Sequence, residues 1–401
     1  MACSSWYRPP TFSFAPRASS DGVKPLAVLG VTGSIGRQTL EVADHLRIPV
    51  VGIGARTPSE DLLEIARRYP EARVAVATED HESSAFVEAV GKGRVEFGSA
   101  ALTAMAAEAG QVVMNGIVGV AGLPVTLAAA HAGNRIALAN KESMVAAGAL
   151  VNDALAQGGG ELIPVDSEHS AIFQCLVGEG APAKIVLTAS GGPFRGKNRG
   201  QLAKVTPAEA LAHPTWRMGK RITVDSATLA NKALEVLEAV ALFGMALDQI
   251  EVVIHPESIV HSMVVFSDGS IKAQLGPPDM RLPIAYALTF PARGTEIIPA
   301  YDFSGVAIHF DEPDLETFPA LGLGYAAGRA GGTAPAVFNA ADEVAVAAFL
   351  DGHLGFLEIA KVIERTLERA EQRSIESLDD VLAADAEGRQ LALSCIYNDL
   401  R

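Results

Sequence analysis

From Pro25 onward the apolar residues fall into short runs separated by polar stretches with helical spacing. "LAVLG" is one such run; a Gly-rich turn follows, then "RQTLEVADHL" with apolar positions three and four apart. "PVVGIGA" predicts the next strand, and "PSEDLLEIARRY" a helix started by Pro58 and Ser59. "RVAVAT", "QVVMNGIVG" and "RIALAN" are further strand-like runs, separated by Ala-rich helical stretches. This alternation predicts a parallel, doubly wound sheet up to about residue 160.

The texture then changes. "KIVLTASGGPF" predicts a strand that runs into a glycine loop, and "IEVVIHP", "SIVHSMVVF" and "SIKAQL" predict three more strands. Asp268-Gly269 between the last two is a hairpin signal, so this part should hold an antiparallel or mixed sheet. Residues 291–316 are rich in Pro, Gly and acids and read as a linker. From Thr317 the chain is Ala- and Leu-rich with helical period, which predicts a closing helical domain. The expected division is a tail at 1–24, an α/β domain at 25–165, a second domain at 166–290, the linker, and a helical domain at 317–401.

Composition narrows the function classes. The 401 residues are 49% hydrophobic and 20% charged, as in globular proteins, with a formal net charge of −15. That acidic balance argues against partners such as nucleic acid or an anionic membrane, while leaving room for a locally basic pocket. Cys3, Cys175 and Cys395 are far apart, which fits a reducing, cytoplasmic setting and excludes a cysteine-based zinc site. No apolar run is long enough to span a membrane. Residues 1–24 lack the apolar core of a secretory signal and read as a disordered tail rather than a plastid-import segment.

Three features carry chemistry. In "LAVLGVTGSIGRQTL", Gly30, Gly33 and Gly36 lie between a strand and a helix, with Thr32, Ser34 and Ile35 among them. Small residues there let the backbone approach a pyrophosphate at a helix N-terminus. The following strand ends Ala55-Arg56-Thr57, without the acid that holds the ribose of NAD. A cation and a hydroxyl suit a 2'-phosphate, so NADP is the expected dinucleotide.

The second feature is "PVDSEHSAIFQ". Asp166 and Glu168, two apart at a strand end, would share a face and repel each other, and a divalent cation or a shared proton would relieve them. Oxygen ligands of this kind suit Mg2+ or Mn2+. The same residues could instead start a helix, with Asp166 or Ser167 as cap. In "VDSATLANKALEVLEAVALF", the chain turns helical after Asp225 and Ser226, and Asn231 and Glu235 share a helix face beside Lys232. Glu235 can complete a carboxylate trio with Asp166 and Glu168; Glu238 is expected to face solvent.

The third is a set of anion-binding and covering elements. Ser190, Gly191 and Gly192 form a candidate nest. Residues 211–221, with His213, Trp216, Met218 and Gly219, have poor helix or strand character and read as a lid. Asn140, Lys141 and Glu142 follow a strand at the edge where open sheets bind ligands. His255 and His261 flank "PESIV"; a satisfied core role is expected for His255. Phosphate-loop, HExxH, calcium-loop and GxSxG patterns are absent from the sequence.

"GVTGSIG", "LANKES", "PVDSEHSAIFQ", "SGGPF", "HPTWRMG", "VDSATLANKALE", "HPESIVHSMV" and "PDMR" occur in this order, and together they resemble the 1-deoxy-D-xylulose 5-phosphate reductoisomerase family from about Pro25 to near the C-terminus. The resemblance implies an α/β chain: a Rossmann-like NADPH-binding domain, a central α+β catalytic domain with mixed sheet and lid, and a C-terminal helical domain, usually as a homodimer. It implies that Asp166, Glu168 and Glu235 ligate Mg2+, Mn2+ or Co2+. Ser190, Ser226, Asn231 and Lys232 would hold the phosphate of a small phosphorylated sugar, with His213 closing over it. Lys141, Ser167 and Glu168 would meet the ketone and hydroxyl end, under Trp216 and Met218. Thr32, Gly33, Ser34, Ile35, Asn140, Glu142 and Gly219 would contact NADPH. Ala55-Arg56-Thr57 keeps the family's cation there but lacks its Asn. Two rivals remain: an NADP-dependent dehydrogenase that needs no metal, and a nucleotide-sensing protein without catalysis.

Overall fold

The computed structural model describes residues 24–79, 84–216 and 218–399; 1–23 of the expected tail lie outside them. The first part alternates strictly. Its strands are β1 (Leu26–Leu29), β2 (Val50–Ala55), β3 (Arg73–Val76), β4 (Val95–Phe97), β5 (Val112–Asn115), β6 (Arg135–Leu138) and β7 (Glu161–Pro164). Between them run α1 (Ser34–Leu46), α2 (Glu60–Arg68), α3 (Ser84–Val90), α4 (Ser99–Ala106), α5 (Leu123–His131) and α6 (Lys141–Gly158). All seven strands are parallel, in the order β4-β3-β2-β1-β5-β6-β7. The order reverses between β1 and β5, which opens a crevice at their carboxyl ends. Short β4 at the edge is an addition to the sequence expectation; three half-polar residues carry too little pattern to be read.

The second part holds α7 (Ser167–Leu176), β8 (Lys184–Ala189), α8 (Arg199–Leu202), α9 (Pro207–Ala210), α10 (Lys220–Thr228) and α11 (Ala230–Phe243). Then come β9 (Ile250–Ile254), β10 (Val260–Val265), β11 (Ile271–Leu275) and α12 (Arg281–Thr289). Its sheet, β11-β10-β8-β9, is mixed: β8 and β9 are parallel, while β10 runs antiparallel to β8 and to β11 across the Asp268-Gly269 hairpin. Residues 291–316 carry no helix or strand beyond a bridge from Asp311 to Ile254. Helices α13 (Ala320–Ala330), α14 (Ala334–Leu350), α15 (Phe356–Arg369) and α16 (Leu378–Ser394) close the chain. Among the described residues, no helix is long and apolar enough to cross a membrane.

Three local differences from the sequence reading matter for the site. Lys220 and Arg221 belong to α10, so the irregular lid segment ends at Gly219, the residue before the helix. Asp225 and Ser226 lie inside α10 rather than ahead of a helix, and the chain breaks at Leu229, whose φ of +63° is left-handed. A branched residue rarely adopts that conformation, so no glycine or proline announces the break. Finally, α12 packs Ile284, Tyr286 and Leu288, with Phe290 just after it, into the core of the first part, beside Val165 and Phe173. The segment therefore returns to the first domain before the linker begins.

Candidate active site

The topology brings the N-termini of four helices to one cavity of about 170 Å3. Ser34 and Ile35 of α1, Lys141 of α6, Ser167 and Glu168 of α7, and Gly219 before α10 all line it. Each N-terminus presents unpaired amides and the positive end of a helix dipole, so the cavity favours anions despite the acidic chain.

The glycine turn shows why small residues are required. Gly30 has φ +87°, and a Cβ there would stand 2.5 Å from the carbonyl of Gly116, across the β1–β5 crevice. A Cβ on Gly36 would meet the Gly30 carbonyl at 2.4 Å. Gly33 precedes α1 as its capping residue and, like Ser34, is exposed. Arg56 and Thr57 follow Ala55 at the carboxyl end of β2 and are exposed; Arg56 has no ion pair among the described residues.

Asp166 stands at the start of α7, but its side chain does not cap the helix. It turns to Lys141, whose ammonium forms an ion pair with it, hydrogen-bonds Asn231 at 2.8 Å and lies 3.5 Å from Glu235. Lys232 reaches Glu168 at 2.9 Å, and Glu235 and the Thr188 carbonyl at 2.5 Å. Asn231 donates to Glu235 at 2.5 Å, as the four-residue spacing on α11 predicts. The carboxylate oxygens of Asp166, Glu168 and Glu235 come within 4.8 Å of one another. The segment therefore starts a helix without a side-chain cap from Asp166, and the same turn places Asp166 and Glu168 beside Glu235.

Electrostatics in this cluster are those of buried, opposed charges. Burial works against the Lys141 ammonium, yet Asp166 and Glu235 hold its pKa well above the usual value. Burial also opposes ionised Asp166, but Lys141 keeps its carboxyl well below the ordinary range. Glu235, 0% exposed, is pushed up to about 8 by burial and then by the facing Glu168. Two ammonium groups face two ionised carboxylates and a Glu235 that burial keeps largely protonated near neutral pH, so the cluster is close to neutral, and a divalent cation would displace that proton.

On the opposite wall, Gly191 and Gly192 have φ of +82° and +66°, and the Gly192 amide bonds the Ser190 hydroxyl at 3.2 Å. His213 Nδ1 accepts the amides of Thr215 and Trp216, so Nε2 carries the proton and donates to Ser190 Oγ at 3.0 Å. Burial lowers the His213 pKa and favours that neutral form. Trp216 and Met218 cover the cavity, with the Trp216 ring 6.0 Å from that of His261. The break at Leu229 lets Ser226 from α10 and Asn231 and Lys232 from α11 face the same space.

Comparison with known proteins decides the family. Sequence profiles described as 1-deoxy-D-xylulose 5-phosphate reductoisomerase, the C-terminal domain of that enzyme, and the DXP reductoisomerase C-terminal domain match residues 26–148, 162–243 and 275–391. The reductoisomerase of Cupriavidus metallidurans is 48% identical over 378 residues, covering 91% of this chain and 96% of that one. That of Xanthomonas oryzae pv. oryzae is 47% identical, covering 93% and 97%. The chain belongs to the 1-deoxy-D-xylulose 5-phosphate reductoisomerase family. Its fold is that of solved members: the Zymomonas mobilis enzyme in complex with NADPH superposes with a TM-score of 0.87 at 42% identity, covering 94% of this chain and all of that one. A DOX-P reductoisomerase complex with NADPH, fosmidomycin and magnesium gives 0.87 at 36% identity, covering 93% and 98%.

In this reductoisomerase fold, some expected residues stand apart from the cavity. Asn140 is buried as the N-cap of α6: its amide donates to the carbonyls of Ile117 and Gly119 and to Glu142, and its oxygen accepts from Ser143. Glu142 is buried against Arg221 at 2.8 Å. Their side chains thus face protein groups. His255 is a core residue, 0% exposed, whose Nε2 accepts the amides of Ile259 and Val260.

Glu238 corrects the sequence reading: it is 0% exposed, not solvated. Its carboxyl faces His169 Nδ1 at 3.4 Å, while His169 Nε2–H donates to the Glu235 carbonyl at 2.9 Å. Burial raises the Glu238 pKa well above normal and holds His169 at about 4, so the two meet as neutral acid and neutral imidazole. Glu235 and Glu238 are three apart and share a helix face, but that spacing alone does not tell that the face is buried. Ser258, with φ +52°, and His261 also line the cavity.

Proposed function

We propose that this site carries out the NADPH- and divalent-metal-dependent isomerisation and reduction of 1-deoxy-D-xylulose 5-phosphate to 2-C-methyl-D-erythritol 4-phosphate, a step toward isoprenoid precursors. The carrying observation is the buried trio Asp166, Glu168 and Glu235 in one cavity with an anion-binding wall and a dinucleotide turn. The trio fits a hard cation: its donors are all oxygens, and one from each residue lies within 4.8 Å of the others. Asp166, Glu168 and Glu235 would hold Mg2+ or Mn2+, which supplies Lewis acidity toward the ketone and neighbouring hydroxyl oxygens. NADPH, on the turn Gly30–Gly36, supplies the hydride, with Arg56 and Thr57 at its 2'-phosphate.

The remaining work belongs to the chain's own groups. Ser190, the Gly191 amide, Ser226, Asn231 and Lys232 form the phosphate end, where neutral His213 donates through Nε2. Lys141, held charged by Asp166, is placed to stabilise oxygen charge that develops as the carbon skeleton rearranges. Ser167, hydrogen-bonded to Glu168 at 2.5 Å, faces the same end. Trp216 and Met218 exclude water from the reacting fragments. Asn140 and Glu142 act on the cofactor by setting the start of α6.

Metal-dependent NADPH oxidation with deoxyxylulose phosphate tests the reading. Glu235→Gln should abolish turnover while leaving NADPH affinity nearly intact. Full activity in excess chelator would favour a metal-free dehydrogenase instead. We also propose a homodimer in the cytoplasm. Edge strand β11 leaves Ile271 and Leu275 exposed, at 60% and 38%, as a sheet-to-sheet contact would need. A monomer in analytical ultracentrifugation would exclude it.

A further inference from the structure

Arg221 lies in the first turn of α10, two residues beyond the lid, and joins three helices. Its Nη1 donates to Glu142 of α6 at 2.8 Å and to Glu343 of α14 at 2.9 Å. Its Nη2 donates to Asn339 at 2.8 Å and to Asp342 at 3.4 Å, both on α14. Its Nε stands 3.5 Å from Asp225, one turn along α10. Arg389 of α16 completes the set, holding the other oxygen of Glu343 at 2.6 Å and Asp385 at 2.7 Å.

This arrangement ends at the chemistry. Glu142 is the neighbour of Lys141, and its second oxygen accepts from Asn140, the N-cap of α6. Arg221 therefore fixes the first turn of α6 on one side, and α10, which carries Ser226 to the cavity, on the other. The planar fork of guanidinium matches four acceptors in set directions, whereas an ammonium would satisfy only some of them. Buried ion pairs seldom add net stability over apolar packing, so a network of this size argues for orientation rather than for holding the fold.

We propose that Arg221 is a positioning residue for the reaction: it transmits the rigidity of the C-terminal helices α14 and α16 to Lys141 and to the fixed base of the lid. This gives the C-terminal helices, which contribute no residue to the cavity lining, a part in turnover. The inference rests on the active-site role proposed for Lys141.

The test compares Arg221→Lys, Glu343→Gln and Lys141→Met in the full chain. Read-outs are kcat per NADPH-binding site, KM for the sugar phosphate, NADPH affinity by fluorescence, and thermal unfolding. Displacement of a catalytic group by about 1 Å costs on the order of 100-fold. Arg221→Lys should lower kcat by roughly that factor, and Glu343→Gln by roughly 10-fold. Substrate KM and NADPH affinity should change by a smaller factor than kcat, because Ser190, Asn231, Lys232 and the Gly30–Gly36 turn lie on elements that Arg221 does not touch. Folded Arg221→Lys with wild-type kcat overturns the proposal, even if its melting temperature falls. Should that variant fail to fold, wild-type kcat in Glu343→Gln overturns it equally. Wild-type kcat in Lys141→Met would instead defeat the active-site reading, and this inference with it.

Discussion

Lys232 is the sharpest test of the carboxylate cluster. It is 3% exposed, and its ammonium is shared by Glu168, Glu235 and the Thr188 carbonyl. Lys232→Met keeps the length and apolar contacts of the side chain and removes the charge. Breaking a buried ion pair on one side costs about 3–5 kcal/mol, because the partner is left uncompensated. The lower end applies here: Glu235, raised to about 8, already favours its protonated form, so the loss of Lys232 leaves less charge uncompensated. About 3 kcal/mol corresponds to a fall of roughly 6 °C in melting temperature for a unit of this size. Added Mg2+ should then return most of the loss, since a ligand at one hundred times its dissociation constant contributes about 2.7 kcal/mol to the folded state. Calorimetry in chelator and in saturating Mg2+, on wild type and variant, reads both numbers. Unchanged melting in chelator would show that the carboxylates do not depend on Lys232. A Mg2+ lift no larger in the variant than in wild type would show that the cation does not bind among the carboxylates that Lys232 neutralises.

Three more outcomes follow from particular contacts. Arg56→Glu should raise the KM for NADPH by 10-fold or more, about 1.4 kcal/mol, while NADH is little affected; equal kinetics with both cofactors would remove Arg56 from the 2'-phosphate. Gly192→Ala would place a Cβ 2.8 Å from the Ser226 carbonyl at a φ of +66°, so it should lower stability by more than about 1 kcal/mol and raise substrate KM; wild-type KM would show that this turn does not shape the phosphate wall. Burial raises the Asp342 carboxyl to about 6 from an ordinary 3.8, so its ionisation costs stability as pH rises through that window and beyond. Asp342→Asn removes that cost, and its melting temperature relative to wild type should climb between about pH 4 and about pH 7; a flat difference would contradict the assignment.

The parts of this protein that were legible from sequence are those encoded by local period and spacing. Alternating runs gave the doubly wound sheet, and Asp-Gly gave the hairpin of the mixed sheet. The grouping of the three acids was legible because Glu235 shares a helix face with Asn231 and because Asp166 and Glu168 are two apart, although they sit at the start of α7 rather than on a strand face. What the sequence hid depends on distant partners. Nothing near Glu238 says that His169, from another helix, buries it. The break at Leu229 has no local marker, because tertiary packing rather than a glycine holds the left-handed turn. Arg221 falls inside the expected lid segment 211–221, yet its partners come from positions 142, 225, 339, 342 and 343. Asp225 shows how such a setting reverses a local reading. Beside Ser226 it looks like a charged helix start. Buried beside Asp342, its carboxyl has a pKa raised well above normal, first by burial and then by the neighbouring acid. The chemistry-bearing residues were therefore readable one by one, whereas the groups that hold them in place exist only as an assembled set.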